Sequence, residues 1–249
     1  MNRPDKYVII VAGGKGLRMG GDIPKQFMLL EDRPVLMHTI QAFYDSDSAI
    51  RIFLVLPQEQ KEYWENLCAE YNFSLPHQIV SGGETRFHSV KNALEAIQSP
   101  FTVHPSPATL IGIHDGVRPL IDKELIRNVY AQADSGDAAY PAIPVVDSMR
   151  KLTDDLETTL PVDRSKYFFV QTPQVFKAEI LFEAYRQTYN PRFTDDVSVV
   201  ETLGICRPVM VEGSRENIKI TTPADLIIAK AILNSQLANA ERCFSIPNS

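Results

Sequence analysis

Short runs of β-branched and aliphatic residues recur along the chain, separated by longer stretches whose apolar positions repeat at helical spacing. The short runs predict strands over Tyr7–Val11, Ile50–Leu56, Gln78–Val80, Thr109–His114, Ala138–Ile143, Phe168–Gln171 and Pro208–Glu212. The longer ones predict helices over Val35–Tyr44, Glu59–Tyr71, Thr85–Ala96, Lys123–Ala133, Ala178–Tyr189, Asp195–Leu203 and Pro223–Gln236. Strands alternating with helices imply crossover connections and hence a doubly wound, mostly parallel sheet in a three-layer αβα sandwich, a Rossmann-like α/β fold. One domain spanning residues 1–249 is expected. The stretch 146–167 breaks the rhythm, with Asp154-Asp155 and Pro161 and too little apolar periodicity for a core helix. It reads as an extended arm or hairpin projecting from the domain, and long irregular segments in compact domains usually carry function.

Composition narrows the class. The chain has 249 residues, 44% of them hydrophobic, enough for a substantial core. Its 17 prolines and 12 glycines are dispersed, so no segment reads as a flexible linker. Cys68, Cys206 and Cys243 lie far apart without metal-site spacing, which argues against a disulfide framework or a zinc site and fits a reducing compartment. A strand begins within a few residues of Met1, leaving no room for a signal peptide, and no apolar run approaches the about 18 residues of a membrane span. A cytoplasmic location is therefore expected, with no membrane partner. The net charge of −6 argues against a nucleic-acid partner, so any polyanion must meet a local cluster of cations.

The first strand runs into Ala12-Gly13-Gly14-Lys15-Gly16-Leu17-Arg18-Met19, followed by Pro24-Lys25-Gln26. Glycines let the backbone approach an anion closely and turn successive N–H groups toward it. A dinucleotide fingerprint starting at Gly14 would need glycine where Met19 stands, and the Gly-Lys-Ser/Thr of a P-loop is absent. A bare glycine turn is a common structural device. Here Arg18 and Lys25, with Lys15 nearby, add the positive charge that suits a triphosphate.

This loop resembles the signature loop of the cytidylyltransferases acting on 2-C-methyl-D-erythritol 4-phosphate and on ribitol 5-phosphate. Further motifs continue the resemblance in order: Gly82-Gly83-Glu84-Thr85-Arg86 with Ser89-Val90, His114-Asp115-Gly116-Val117-Arg118-Pro119, Val162-Asp163-Arg164, Gln171-Thr172-Pro173-Gln174, Thr194-Asp195-Asp196 with Ser198, and Asn217-Ile218-Lys219-Ile220-Thr221. The resemblance implies that Ala12, Gly13, Gly14, Gly16, Gly83 and Ser89 bind the nucleotide, with Ala12 and Gly83 offering backbone groups to cytosine. It implies catalytic roles for Arg18, Lys25 and Lys219, the last facing the α-phosphate. Ser148, Arg164, Thr172 and Thr194 would then surround the sugar-alcohol phosphate, Arg164 entering the pocket of a second subunit by exchange of the arm. A C2 homodimer is the economical assembly for such an exchange.

Read from the residues, Asp115 ends a strand where open α/β sheets place their ligands, and its carboxylate could hold Mg²⁺ or accept from a substrate hydroxyl. An aspartate capping the next helix is the plainer reading. Arg118 could meet the phosphate or pair with Asp115, Arg86 could equally be a motif residue or a surface cation at a helix start, Lys219 is expected in a strand, and His114 is given no role. A phosphate monoester has its second pKa near about 6 and attacks the α-phosphorus of CTP without a general base. The demand is instead for Mg²⁺ and fixed positive charge to hold two polyanions in line. Gly13, Gly116-Val117 and Ser148 depart from the commoner family residues. The readings left open are the methylerythritol phosphate enzyme, its ribitol phosphate counterpart, a non-catalytic CTP-binding module, and a nicotinamide-dependent dehydrogenase, the last disfavoured by Met19.

Overall fold

The structure is a computed structural model that describes residues 4–14, 23–98, 106 and 108–244, the side chains of 237 and 239–244 apart. Arg18 and Gly16, and Lys15 with them, lie outside the described residues.

Chain order runs β1 (Lys6–Val11), β2 (Leu29–Leu30), β3 (Arg33–Pro34), α1 (Val35–Ser46), β4 (Arg51–Leu56), α2 (Lys61–Glu70), β5 (Gln78–Ser81) and α3 (Arg86–Gln98). It continues with β6 (Leu110–Asp115), α4 (Lys123–Gly136), β7 (Ala138–Pro144), β8 (Met149–Leu152), β9 (Thr159–Val162), β10 (Phe168–Val170) and β11 (Gln174–Lys177). The last elements are α5 (Ala178–Ala184), α6 (Asp196–Glu201), β12 (Val209–Glu212) and α7 (Pro223–Phe244).

The central sheet has eight strands in the order β10-β7-β11-β6-β1-β4-β5, with β12 paired to β7. Strands β6, β1, β4 and β5 run parallel. β12 is parallel to β7, whereas β10 and β11 are antiparallel to it. The doubly wound, mostly parallel sheet expected from the sequence is present. β11, however, was absent from that expectation: four residues between Pro173 and the start of a helix are too short to show a period. It is the strand that ties β6 to β7.

Alternation along β1 explains the layering. Val8 and Ile10 point to one face, where Leu36, Ile40 and Phe43 of α1, Trp64 of α2 and Val129 and Tyr130 of α4 cover them. Tyr7 and Ile9 point to the other, against Phe87, Val90 and Leu94 of α3, Leu181 of α5 and Val197 and Val200 of α6. Strands buried on both faces must be apolar throughout, which is why β1, β4 and β6 read as continuous apolar runs. α7 packs on a separate small cluster formed by Leu30, Val35, Val117, Leu120 and Ile220.

The stretch 146–167 contains the hairpin β8–β9, paired from Met149↔Val162 to Leu152↔Thr159. Leu152, Leu156 and Leu160 on it are 49%, 72% and 57% exposed. Among the described residues no helix is long and apolar enough to cross a membrane.

Candidate active site

Because β1 leaves toward β4 on one side while β6 lies on the other, the sheet order reverses between β1 and β6. At that switch point the carboxyl ends of parallel strands part and leave a crevice. A cleft of about 280 Å³ opens there, lined by Ala12, Gly13 and Gly14 after β1, Lys25 and Gln26, Gly83 to Arg86 and Ser89 at the start of α3, and Asp115, Val117 and Lys219. A second chamber of about 310 Å³ adjoins it, lined by Gln171, Thr172 and Gln174, Thr194 and Asp195, and Arg118. Arg86, Asp115 and Lys219 line both.

The first chamber is shaped by backbone. Ala12 N–H donates to the Val55 carbonyl at 3.0 Å, and its own carbonyl accepts from Gln26 Nε2 at 2.9 Å. Gln26 is 1% exposed and also donates to Gln60. Its Oε1 has no partner among the described residues. The stem of Lys25 passes Gly14, whose Cβ, if it had one, would lie 3.6 Å from Lys25 Cε. Gly83 donates to Ser89 Oγ at 3.0 Å, so the serine hydroxyl fastens the turn as well as facing the cleft. A Cβ on Gly83 would fall 2.5 Å from His88 Cβ and 2.9 Å from the His88 carbonyl carbon, so only glycine lets α3 start this close to the turn.

Asp115 is the centre of charge. Its carboxylate lies 2.9 Å from Lys219 Nζ, 3.3 Å from Arg118 Nε and 3.9 Å from Arg86 Nε. Burial alone would raise its pKa, but the Arg86, Lys219 and Arg118 charges outweigh that and hold it well below the usual carboxylate range. Arg118 pairs with Asp115 and donates to the Asn217 carbonyl at 2.7 Å, so it anchors the 217–219 segment. Burial lowers its pKa while Asp115 opposes that shift. Lys219 stands in an extended loop and not in the expected strand; Ile220 N–H bonds the Val117 carbonyl at 2.9 Å, a single tie too isolated to make a ladder. Its side chain is 43% exposed and open to both chambers.

Arg86, left open from sequence between a motif residue and a surface cation, has a definite structural place. Its guanidinium grips both carboxylate oxygens of Asp196, Nη1 at 2.7 Å and Nη2 at 2.6 Å. Asp196 is fully buried and takes a third hydrogen bond from Tyr185 Oη at 2.6 Å. Burial would lower the Arg86 pKa, but Asp196 and Asp115 raise it well above its ordinary value. Sequence reasoning missed this pair because its members stand 110 positions apart; the available signal was an arginine inside a glycine-rich motif and a double aspartate downstream.

In the second chamber Thr172 is buried, and its Oγ1 accepts from Asp115 N–H at 3.1 Å. Thr194 is exposed just ahead of α6, whose N-terminus is closed by a reciprocal capping box between Asp195 and Ser198. Gln174 holds that turn, donating to Asp195 at 2.9 Å and accepting from Val197 N–H at 2.9 Å. Ser148 and Arg164 are not brought to either chamber. Both sit exposed on the arm, where the Arg164 guanidinium donates to the Val146 carbonyl.

For a metal, the described residues contain no convergence of three His, Cys, Asp or Glu side chains. Asp115 offers a single carboxylate already shared with Lys219. That donor set does not form a protein cage. It does fit a Mg²⁺ that takes most of its ligands from phosphates and water.

A family model described as IspD, 2-C-methyl-D-erythritol 4-phosphate cytidylyltransferase, matches residues 7–235. The chain is 52% identical over 229 residues to the protein of that name from Azobacteroides pseudotrichonymphae, covering 92% of this chain and 99% of the relative. It is 53% identical over 227 residues to the one from Bacteroides thetaiotaomicron, covering 91% and 98%. The crystal structure of the Francisella tularensis enzyme of the same name superposes with a TM-score of 0.72 at 31% identity, over 90% of this chain and 98% of that one. The motifs, the crevice that gathers them and these relationships agree: the chain belongs to the 2-C-methyl-D-erythritol 4-phosphate cytidylyltransferase family.

Proposed function

We infer that the two chambers hold the two substrates of one transfer, CTP in the glycine-lined cleft and 2-C-methyl-D-erythritol 4-phosphate beside Thr172 and Thr194. The protein transfers CMP to that acceptor, giving 4-diphosphocytidyl-2-C-methyl-D-erythritol and pyrophosphate. The observation that carries the reading is the junction: Arg86, Asp115 and Lys219 line both chambers, so an acceptor phosphate and a nucleotide α-phosphate would meet there. An acceptor oxygen forms a bond to the α-phosphorus as the bond from that phosphorus to the bridging oxygen breaks, and pyrophosphate leaves with the electron pair. A monoester near neutral pH needs no base for this step.

The protein's task is charge and alignment. Lys219 is held by Asp115 until a phosphate arrives, and its half-exposed ammonium can then turn to the transferring group. Lys25 lies on the triphosphate side, and Arg18 belongs to the same loop. Mg²⁺ would arrive on the CTP phosphates, with Asp115 as the residue that would hold it, and would neutralise charge on the phosphates. A homodimer with exchange of the arm would give cover to Leu152, Leu156 and Leu160 on the hairpin and to Phe168 and Phe169 on β10, all of them exposed apolar side chains in this chain. Arg164 and Ser148, which line neither of this chain's own chambers, would then serve the second subunit's acceptor pocket.

Pyrophosphate release from CTP, measured with 2-C-methyl-D-erythritol 4-phosphate and separately with ribitol 5-phosphate, tests the reading. Rapid turnover with the first alone is expected; preference for the second, or CTP binding with no pyrophosphate from either, would overturn it. For the arm, mixing an inactive Lys219→Ala protein with an inactive Arg164→Ala protein should restore part of the activity. A monomer by light scattering that is fully active at the same concentration would refute the exchange.

A further inference from the structure

Behind Thr172 stands a histidine that the transfer itself does not use. His114 precedes Asp115 in β6, is fully buried, and meets the ring of Phe43 edge-on with centroids 4.9 Å apart. Its Nε2 lies 3.2 Å from the Arg118 carbonyl oxygen. A carbonyl only accepts, so Nε2 carries the hydrogen. The ring is fully buried, with a carbonyl at Nε2 and a hydroxyl at Nδ1 and no carboxylate bonded to either nitrogen among the described residues, a setting that favours the neutral imidazole; with the hydrogen on Nε2, Nδ1 is a bare lone pair.

The proton inventory at Thr172 follows. Nδ1 is 3.0 Å from Thr172 Oγ1, and since Nδ1 has no hydrogen the threonine hydroxyl donates to it. The same oxygen accepts from Asp115 N–H at 3.1 Å. A hydroxyl has one hydrogen and two lone pairs. The hydrogen and one lone pair are spent inside the protein, and one lone pair remains on a side chain that lines the acceptor chamber.

We propose that His114 is a positioning residue that locks the Thr172 hydroxyl as a hydrogen-bond acceptor, so that this wall of the chamber takes an alcohol of the acceptor substrate and turns away its phosphate. The proposal rests on the reading that the chamber holds a polyol phosphate. A phosphate dianion placed against Thr172 would set its oxygens against a lone pair with no hydrogen between them. An alcohol supplies that hydrogen. The polyol end is thus directed to Thr172 and the phosphate end to the Lys219 and Asp115 junction, which gives the acceptor one orientation in which the phosphate reaches the nucleotide.

Two measurements on the full-length protein decide this. Imidazole ¹⁵N spectra at neutral pH should show His114 as the neutral tautomer with hydrogen on Nε2; hydrogen on Nδ1, or a doubly protonated ring, overturns the proposal. The tautomer is read without substrate, so a protein that fails to turn over the acceptor would refute the reaction assigned above while the spectrum still decides the proton placement. In kinetics, His114→Phe removes the acceptor of the threonine proton and should lower kcat/KM for the sugar-alcohol phosphate on the order of tenfold, with KM for CTP unchanged. His114→Asn, whose side-chain oxygen can take the place of Nδ1, should recover most of that loss, which a merely structural histidine would not allow. With mono-deoxy acceptors, one missing hydroxyl should cost the parent enzyme on the order of tenfold and cost a Thr172→Val variant little more. Equal penalties in both enzymes for every deoxy acceptor would overturn the assignment.

Discussion

Replacing Arg86 by methionine tests whether the Arg86–Asp196 pair holds the two chambers together. The change keeps the aliphatic stem and removes the guanidinium that bonds both oxygens of Asp196 at 2.7 and 2.6 Å. What remains is a fully buried carboxylate that keeps the Tyr185 hydroxyl as a donor and has lost its charged partner. Removing one member of a buried pair costs about 3–5 kcal/mol. Since the Arg86 side chain is 32% exposed, water reaches part of it, and the lower end, about 3 kcal/mol, is expected. At about 2–4 °C per kcal/mol for a chain of this size, the melting temperature should fall by about 6–12 °C. Circular dichroism melts and urea titrations at fixed protomer concentration read the effect. Arg86→Met combined with Asp196→Leu removes both charges and should regain most of the loss, because an apolar pair of similar volume is near neutral. The Tyr185 hydroxyl would then lack its acceptor, and adding Tyr185→Phe should recover about a further 1–3 kcal/mol. A single variant melting within about 2 °C of the parent, or a double variant as unstable as the sum of its singles, would refute the reasoning.

Other expectations are as definite. Lys219→Ala and Lys25→Ala should each lower kcat by about 10²–10³, as for loss of one donor to a developing charge, with folding unaltered by thermal melt; a change under about threefold would remove the residue from the chemistry. Gly83→Ala places a Cβ 2.5 Å from His88 Cβ, so the turn must move away from α3; KM for CTP should rise at least about tenfold, with about 1–3 kcal/mol lost in urea titration. His114, with a pKa of about 4 when folded against an ordinary value of about 6.5, binds its proton later than the unfolded chain does. Its contribution is therefore complete above about pH 6.5 and is lost as pH falls toward 4, by roughly 3 kcal/mol. Half-buried His38 and His77 shift the same way, so the measurement is the difference in urea stability between parent and His114→Asn across that window; parallel pH curves would contradict the assignment.

The sequence disclosed most where burial imposes a period. β1, β4 and β6 are apolar on both faces, and their limits were legible to within a residue or so. The glycine turn and Asp115 were legible because their motifs sit at strand ends, where backbone geometry restricts the residue type; Thr172 came only with the family resemblance. β11 was not legible, since Gln174-Val175-Phe176-Lys177 alternates too briefly to register and its ends are spent on Asp195 and Asp137. Lys219 looked like a strand residue because Ile218 and Ile220 flank it, yet their burial comes from α7 and Val117 and no ladder forms. Arg86 and His114 were underrated for one reason. Each acquires its role from partners distant in sequence, Asp196 and Thr172, and no local pattern reports such a meeting.

The register of β7 has a consequence for how this enzyme could be remade. Ala139 pairs with both Val175 and Val209, and Ala142 with both Val170 and Glu212, so β10 and β11 lie end to end along one edge of β7 with β12 along the other. Gln171, Thr172 and Pro173 fill the gap between them, outside either ladder. The wall that meets the alcohol is thus a short splice in an edge, while the cytidine chamber is built from other strands altogether. Libraries confined to 171–173 and 194–195 should shift which polyol is accepted and leave nucleotide choice intact.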